Sequence, residues 1–266
     1  MKMIGGGQYM WTEQVGELIA QTEGQVGLLV KNMLSGEILF SHNADLVFPA
    51  CSIIKLPILL TLMDEATAGR VDLAQTAPLA AREAVGGCGL IRHLSKNLPL
   101  SYRDYAVFMI AVSDNGAANK LISLLGMERI NARIQELGMK DTVLGRKMMD
   151  FEAKKQGRDN FTTCQDMCAV FDRFYSRPDV YGDALHILKQ QQINNLLSGV
   201  LDLDAFEFAH KTGDLPRIRH DIGIMYLKEP VFIAFMSKEL RTETQGHRLA
   251  NEIGALLYEY YQNPEE

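Results

Sequence analysis

Three short motifs that could together carry out acyl transfer stand in a fixed order along the chain. Each occurs once, and they are Ser52-Ile53-Ile54-Lys55, Ser113-Asp114-Asn115 and Lys211-Thr212-Gly213. The first combines a hydroxyl nucleophile with a basic amine, the second offers a hydroxyl that can relay a proton, and the third places a cation on a β-prone segment. Such a set predicts an active site assembled from three distant parts of the chain.

The first motif begins a segment that the sequence predicts to be a buried helix. Residues 52–69 are apolar on nearly every side, which is typical of a core helix. Ser52 and Lys55 share one face of it, and burial should lower the pKa of Lys55 until its neutral amine can accept the Ser52 proton. Backbone N–H groups at the helix N-terminus can stabilise an oxyanion. Pro57, one turn inside, should bend the helix or free the carbonyl of Ile53.

The alternative for this motif is structural. Ser52 could simply cap the helix, and Lys55 could extend along its stem to solvent. A single Ser-x-x-Lys match does not decide between the two.

The other two motifs also have structural alternatives. Ser113-Asp114-Asn115 lies between predicted helices over 105–112 and 116–125, where an ordinary turn would use the same residue types. Lys211-Thr212-Gly213 is predicted to end a strand over 206–211, where a lysine is usually solvated. In the functional interpretation, Ser113 faces a leaving group, Asn115 and Thr212 bind substrate, Lys211 attracts a carboxylate, and Gly213 lets a ligand lie against the strand edge. All three motifs in the right order make coincidence improbable.

Composition limits the classes of partner. The chain has 266 residues, 47% hydrophobic and 23% charged, with a net charge of −6 and a sequence pI near 5.6. This acidity argues against nucleic acid or a membrane surface, and we expect a small-molecule substrate and a monomer. The four cysteines and six histidines lack metal-ligand spacing, so no metal and no cofactor are expected, and the thiols should be reduced and mostly buried.

The N-terminus and the apolar segments bear on the compartment. Residues 1–7 contain no apolar stretch followed by a cleavage site, and the longest apolar run is half a membrane span. The expectation is a cytoplasmic protein, the alternative being a secretory signal that has been trimmed.

The elements predict an α+β fold. A helix over Thr12–Gln21, with Thr12 as its cap, precedes a hairpin of strands over 25–31 and 37–41. Helical periodicity dominates from residue 73 to about 203, and strands return at 206–211, 221–227 and 231–237 before a closing helix. We expect a single catalytic unit over residues 1–266, with an α/β lobe of 1–63 and 205–266 and an all-helical lobe of 64–204.

The three motifs resemble those of the class A β-lactamase and penicillin-binding serine hydrolase family, over almost the whole chain. Phe48-Pro49 before the nucleophile and Ala117-Ala118-Asn119 after the second motif agree with the resemblance. It implies a five-stranded antiparallel sheet with flanking helices, beside an all-helical lobe, with the site between them. By the same resemblance the catalytic residues are Ser52, Lys55 and Ser113, and the substrate-binding residues are Asn115, Lys211, Thr212, Gly213, Asp214 and Arg219.

The resemblance also assigns finer roles. Ser52 is the acylated nucleophile, Lys55 its base and Ser113 the relay, while the N–H groups of Ser52 and Asp214 form an oxyanion hole. Arg219, with Arg217 as the alternative, is the second anchor for a carboxylate.

Two departures from the family pattern stand out. Its β-lactamases carry a glutamate that activates the deacylating water, in a loop that corresponds here to Thr142–Thr163. The alignment puts Met148 at that position, with Asp150 and Glu152 nearby but out of register. Such assistance is typically worth about 10²–10⁴-fold, so the acyl-enzyme should be long-lived without it. Cys51 precedes the nucleophile, but Leu215 occupies the place of its bridging partner, so no disulfide is expected.

Three functions therefore compete. The leading hypothesis is hydrolysis of a β-lactam through an acyl-Ser52 intermediate. The others are a small-ester or D-alanyl peptidase-type hydrolase on the same residues, and a penicillin trap or sensor that acylates and deacylates slowly.

Overall fold

A computed structural model describes residues 7–95 and 98–262 of the chain. The helices are α1 (Gly7–Ala20), α2 (Lys55–Thr67), α3 (Tyr102–Ala111), α4 (Asn115–Leu125), α5 (Met127–Glu136), α6 (Phe151–Lys155), α7 (Cys164–Ser176), α8 (Pro178–Leu188) and α9 (Glu243–Gln262). The strands are β1 (Gln25–Asn32), β2 (Ile38–His42), β3 (Phe48–Pro49), β4 (Thr76–Ala77), β5 (Leu100–Ser101), β6 (Phe161–Thr162), β7 (Glu207–Leu215), β8 (Ile218–Tyr226) and β9 (Pro230–Lys238). Short 3₁₀ helices cover Cys51–Ile54 and Ile91–His93.

A five-stranded antiparallel sheet organises the molecule, in the order β2-β1-β9-β8-β7. Side chains alternate between its faces, and each face has its own core. Phe208, Met225 and Phe235 pack with α1 and α9 on one face, whereas Ala209 and Ile222 pack with α2, α7 and α8 on the other. Because β7 is the edge strand, one of its sides is free to border a site.

Helix α2 lies inside the second core. Residues 55–63 are all buried, which matches the apolar pattern on every side of this segment. The chain enters α2 through the 3₁₀ helix Cys51–Ile54, so the predicted helix starting at Ser52 is two elements. Pro57 has no N–H to offer the carbonyl of Ile53, and the N–H of Lys55 donates to the Ser52 and Ile53 carbonyls instead.

The fold class predicted from the sequence is confirmed, including the five-stranded antiparallel sheet and the early hairpin. Several element boundaries were wrong, including the start of β8, which begins at Ile218 rather than at residue 221. The first helix begins at Gly7 rather than at Thr12, so Thr12 lies inside it and does not cap it. Strand β7 continues past Lys211 to Leu215, because Gly213 and Asp214 still pair with His220 and Arg219 of β8.

Two expectations remain outside what the fold decides. The expectation about the N-terminus rested largely on residues 1–6, which lie outside the described residues. Residues 96–97 and 263–266 of the predicted single unit also lie outside them. The division into lobes at 63/64 and 204/205 stays a prediction. Among the described helices none is long and apolar enough to cross a membrane.

The packing of α9 gives a direct test of the fold. A Cβ on Gly254 would lie 1.8 Å from the carbonyl oxygen of Leu197, whereas a Cβ on Gly182 of α8 would meet nothing within 4 Å. We expect Gly254→Ala to lower the free energy of unfolding by about 1–3 kcal/mol through overpacking. The matched control Gly182→Ala should leave it unchanged or raise it by up to about 1 kcal/mol, because alanine favours a helix. Urea unfolding of both variants measures this, and equal effects would contradict the packing of α9.

Candidate active site

Ser52 lies where the edge of the sheet meets the start of α2. A Cβ built on Gly213 of β7 would stand 3.1 Å from the backbone nitrogen of Ser52 and 3.1 Å from the Cβ of Cys51. A side chain at position 213 would therefore require one of the two segments to shift by a few tenths of an ångström, which glycine avoids. Cys51 itself has φ +48°, in the left-handed region that non-glycine residues rarely adopt. The backbone is thus held in an uncommon conformation directly before the serine.

The Lys55 amine joins the first two motifs. Its Nζ lies 3.2 Å from Ser52 Oγ, 3.1 Å from Ser113 Oγ and 2.7 Å from the Ser113 carbonyl oxygen. A fourth contact, of 2.9 Å, reaches Oδ1 of Asn115. Lys55 is fully buried, so the alternative in which it extends to solvent is wrong.

These contacts suit a neutral amine. The Ser113 carbonyl and Asn115 Oδ1 can only accept hydrogen bonds, so they use both N–H groups of a neutral amine and leave its lone pair. That lone pair can accept the hydroxyl proton of Ser52. Burial is the largest cause that lowers the pKa of Lys55 well below its usual range, and the neighbouring charge of Lys211 lowers it further.

Ser113 and Asp114 divide two tasks between them. Ser113 is buried and has φ +55°, which turns both its carbonyl and its hydroxyl toward Lys55. The Asp114 carboxylate caps α4 by accepting the N–H of Ala117 at 2.9 Å and also accepts the N–H groups of Leu90 and Ile91. Asp114 therefore stabilises the loop beside the site, a role that the sequence did not identify.

The amide of Asn115 is occupied at both ends. Its Oδ1 accepts from Lys55, and its Nδ2 donates to the carbonyl of Gly86 at 3.1 Å. A Cβ on Gly87 would come within 2.6 Å of this Nδ2 and 3.1 Å of the sulfur of Met149. Asn115 thus orients Lys55 in this structure, and its predicted contact with a substrate stays a prediction.

Lys211 supplies a second buried amine. It is fully buried on β7, and its Nζ donates to the carbonyl of Thr212 at 3.0 Å. Burial lowers the pKa of Lys211 to about 8, although the negative charge of Asp221 acts in the opposite direction and raises it. Asp221 is itself buried and accepts from His210. At pH 7 Lys211 is therefore mostly charged and can attract an anion.

His220 ties β8 to the segment before the serine. Its Nε2 lies 2.9 Å from the carbonyl oxygen of Pro49, while the N–H of Ser237 approaches Nδ1 at 3.2 Å. Burial lowers the pKa of His220 to about 4, so the ring is neutral at physiological pH. The sequence pattern gave no reason to expect this bridge.

Asp214 and Arg219 pair opposite each other across β7 and β8, but their side chains do not interact. The guanidinium of Arg219 contacts Glu243 at 2.5 Å and His247 at 2.9 Å, both on α9, and two carbonyls of the β7–β8 hairpin. The alternative anchor Arg217 donates to the carbonyls of residues 239 and 240. Both guanidinium groups are engaged in these contacts, and the role of Arg219, or alternatively of Arg217, as an anchor for a carboxylate stays a prediction.

The loop of residues 142–163 borders Asn115 and is closed at its ends. Arg146 pairs with Asp159 at 2.7 Å, and Asn160 Oδ1 accepts the N–H groups of residues 145 and 146. Within the loop, Asn119 of α4 holds both backbone groups of Met148, at 2.8 Å and 3.1 Å. Asn119 was noted only as context, although its position four residues after Asn115 puts both on one helix face.

Neither carboxylate near Met148 is free to replace a glutamate there. Asp150 caps α6 by accepting the N–H of Ala153, and the exposed Glu152 pairs with Lys155. The Met148 side chain is buried. Position 148 therefore presents an apolar group.

The described residues contain neither a cluster of potential metal ligands nor a disulfide bond. No cluster of three or more potential ligands is found among these residues. Cys51, Cys88, Cys164 and Cys168 are free thiols, and Cys88 is exposed rather than buried. The chemistry available at the site is that of hydroxyls, amines and backbone N–H groups.

Comparisons with known proteins agree with this geometry. The model of the family described as "Beta-lactamase enzyme family" matches residues 10–261. A solved beta-lactamase from Sphaerobacter thermophilus is 25% identical, with a TM-score of 0.85 over 94% of this chain and 97% of that chain. A structure of a mutant of PBP-A, described as an acyl-enzyme complex with penicillin G, is also 25% identical, with a TM-score of 0.85 over 96% and 97%.

A curated protein is also similar over part of the chain. D-alanyl-D-alanine endopeptidase from Pseudomonas aeruginosa is 29% identical over 120 residues, which are 43% of this chain and 37% of that protein. The match thus spans little more than a third of the length of this relative.

The coupling between the two buried amines can be measured. We expect Lys211→Met to raise the pKa of Lys55, because the substitution removes the positive charge that disfavours the Lys55 ammonium. An NMR titration of ¹³C-labelled lysine side chains measures this, with the Lys55 signal identified by its loss in Lys55→Arg. The control Lys155→Met removes an exposed charge and should leave the Lys55 pKa unchanged. A Lys55 pKa that falls or stays constant in Lys211→Met would contradict the proposed electrostatics.

Proposed function

The chain belongs to the beta-lactamase enzyme family, and from that premise we propose that it is a serine hydrolase that opens β-lactam rings through an ester on Ser52. The single observation that carries the proposal is the position of the Lys55 amine. It is buried, hydrogen-bonded to two groups that can only accept, and within reach of two serine hydroxyls. This is the arrangement that a nucleophile, a base and a relay need.

Acylation follows from these contacts. As Ser52 Oγ bonds to the ring carbonyl carbon, its proton passes to the Lys55 lone pair and the carbonyl electrons move to oxygen. When the tetrahedral intermediate collapses, the ring C–N bond breaks. The nitrogen takes a proton from Ser113 Oγ, which takes one in turn from the Lys55 ammonium at 3.1 Å. The product is an ester on Ser52, with Lys55 neutral again.

The remaining motif residues bind and stabilise the reacting groups. We assign the oxyanion to the backbone N–H groups of Ser52 and Asp214. Gly213, the residue before Asp214, packs against the backbone nitrogen of Ser52. Lys211 and Thr212 receive the substrate carboxylate, since Lys211 is the buried cation of the edge strand. Gly213 lets the substrate lie along β7.

Hydrolysis of the ester requires a water and a base. Position 148, where the family resemblance expects a glutamate, carries a buried methionine whose backbone is held by Asn119. We therefore propose that deacylation is slow, so the chain also qualifies as a penicillin-binding trap. The PBP-A relative described as an acyl-enzyme with penicillin G supports this second candidate. The endopeptidase relative supports a D-alanyl peptide or ester as another acyl donor.

The acylation proposal predicts a covalent adduct on one serine. Intact mass spectrometry after addition of benzylpenicillin should show a mass increase of one penicillin, absent in Ser52→Ala. Lys55→Met should slow its formation by about 10²–10⁴-fold, the usual contribution of a positioned base. The control Ser176→Ala, at the exposed end of α7, should react normally.

Two results would exclude this assignment: no adduct from folded protein, or an adduct that persists in Ser52→Ala. Turnover of a nitrophenyl ester by a protein inert to penicillins would instead select the esterase candidate.

The slow-deacylation proposal predicts that one substitution creates turnover. Met148→Glu should accelerate loss of the adduct by about 10²-fold or more, because it adds a carboxylate that can activate water. The matched control Met148→Gln has the same size and no base, so its adduct should be as long-lived as that of the wild type. Asn119 forms its hydrogen bonds with the backbone of residue 148, so neither substitution removes a partner of these bonds.

The measurement is the decay of the adduct by mass spectrometry after free penicillin is removed. Equal acceleration in the glutamate and glutamine variants would show that loosening of the loop, and not base catalysis, limits deacylation.

A further inference from the structure

A buried histidine and a buried aspartate pair on the face of the sheet opposite Lys211. Nδ1 of His210 lies 2.7 Å from Oδ1 of Asp221, and the two residues are 1% and 0% exposed. Side chains alternate along β7, so His210 lies on the α1 and α9 side with Phe208, and the two rings stack with centroids 3.9 Å apart. Asp221 pairs with Thr212 in the register and faces the same side. No step of the proposed acyl transfer uses this pair.

The hydrogen bonds around His210 determine how many protons its ring carries. Nδ2 of Asn194 donates to the carbonyl of Gln191 at 3.2 Å, so Oδ1 of Asn194 is the atom that faces Nε2 of His210, at 2.9 Å. An amide oxygen can only accept a hydrogen bond, and so can the carboxylate of Asp221 at the other ring nitrogen. Both ring nitrogens therefore need a proton to donate, and a ring with both protons is an imidazolium.

The charge of this imidazolium is balanced inside the protein. Asp221 accepts the N–H of Leu197 through its second oxygen, at 3.1 Å, so both carboxylate oxygens are hydrogen-bonded. A buried ion pair is tolerated when its geometry is good and its remaining polar atoms are satisfied. Lys189 and Glu207, which line the adjoining cavity of about 290 Å³, pair with each other at 2.6 Å. The counter-ion of the histidine is therefore Asp221.

Residues 191–197 extend from this ion pair to the segment that precedes Ser113. Nε2 of Gln191 donates to the carbonyl of Ile110, near the end of α3, at 3.1 Å. The same carbonyl accepts the N–H of Ser113 at 3.4 Å. The turn that carries Ser113 is therefore held by a segment that His210 holds in turn.

These contacts join the second motif to the third. His210 directly precedes Lys211 on β7, and Oγ of Ser113 lies 3.1 Å from the Lys55 amine. A displacement of Ser113 by about 1 Å would break the latter contact, and a misplacement of that size can cost about 10²-fold in rate. The proton relay therefore depends on how firmly residues 191–197 connect the end of α3 to the sheet.

We propose that His210 is a positioning residue that, as a buried imidazolium, fixes residues 191–197 on the sheet and thereby holds Ser113 in place. The histidine touches neither the substrate nor the reacting atoms, and it acts through the chain of hydrogen bonds. Its effect on rate rests on the proposed acylation of Ser52, whereas its charge is independent of that function.

The charge of His210 can be measured directly by NMR. A two-dimensional ¹H–¹⁵N spectrum of the imidazole rings at pH 7 should show both nitrogens of His210 protonated, with its signals identified by their loss in His210→Asn. His220 is an internal reference, because burial lowers its pKa to about 4 and its ring is neutral at pH 7. A neutral His210 ring in this spectrum would overturn the proposal, whatever the protein does with a penicillin.

The effect on acylation is measured with benzylpenicillin. Gln191→Met removes the bond to Ile110, and His210→Asn and His210→Gln remove the charge while keeping an N–H near Nδ1 or Nε2, respectively. Each substitution should lower the acylation rate constant at saturating penicillin by about 10–10²-fold, because Ser113 is misplaced. The half-saturating concentration should stay near that of the wild type.

Two matched controls replace side chains outside the network. The side chain of Gln190 makes no hydrogen bond to any residue that the structure describes, and His186 is exposed on α8. Gln190→Met and His186→Asn should therefore keep both kinetic parameters of the wild type.

A double variant distinguishes positioning from general loosening of the fold. Because Gln191 and His210 belong to one chain of contacts, Gln191→Met/His210→Asn should be no slower than the slower of its two parents. Independent effects would instead multiply. Circular dichroism checks that each variant is folded at the temperature of the assay, and His210→Gln replaces His210→Asn in the double variant if the latter does not fold.

The outcomes separate two failures. If benzylpenicillin acylates Ser52 at the wild-type rate in every variant, or if the two effects multiply, the positioning role is overturned and the proposed function stands. Equal slowing in Gln190→Met would assign the effect to packing after α8, which also overturns the role of His210. If no adduct forms with the folded wild type, the proposed function fails and the effect on rate fails with it, while the NMR spectrum still decides the charge.

Discussion

The site depends on one buried amine that has no carboxylate to pair with. Lys55 contacts two hydroxyls, a carbonyl and an amide oxygen, and no acidic side chain among the described residues pairs with it. A buried ion without a partner is costly, so the neutral form is favoured and the lysine becomes a base. Glu65 on the same helix shows the opposite case, because its contacts with Arg70 and Arg129 hold its pKa at about 2. Pairing favours the charged form of Glu65, and burial without a carboxylate partner disfavours the charged form of Lys55.

Much of the local structure serves to hold groups around that amine. Cys51 and Ser113 both adopt positive φ, at a cost of about 1–3 kcal/mol each for a non-glycine residue. The surrounding elements offset this strain: His220 holds the Pro49 carbonyl, and Asp114 accepts three N–H groups. The strained residues lie on either side of the Lys55 amine, so the strain is part of how two distant hydroxyls converge on it.

The sequence predicted the elements and the central pair, because each depends on local pattern. The spacing of Ser52 and Lys55 on an apolar helix predicted a desolvated base only in combination with the other two motifs in their order. It could not predict where Arg219 points, since that depends on Glu243 and His247 of α9, whose packing arises only in the folded sheet. The amide of Asn115 contacts Lys55 beside Ser113, whose φ is positive. A positive φ at a residue other than glycine could not be predicted from the sequence. The predicted end of β7 was wrong for a similar reason. Lys211 and Gly213 suggested that the strand ends there, but pairing with β8 extends it to Leu215.

The absence of a nearby acid also links acylation to deacylation. The backbone of Met148 is fixed by Asn119, and the neighbouring Met149 and the amide of Asn115, which contacts Lys55, both lie beside Gly87. A carboxylate at position 148 would favour the charged form of Lys55 by raising its pKa, and so leave less of the neutral amine that accepts the Ser52 proton, while supplying a base for water. With a methionine there, no added acid opposes the lowering of the Lys55 pKa, and in the proposed function the group that would activate water is missing. In the proposed function, the methionine at position 148 that slows release of the acyl group therefore also favours the step that forms it.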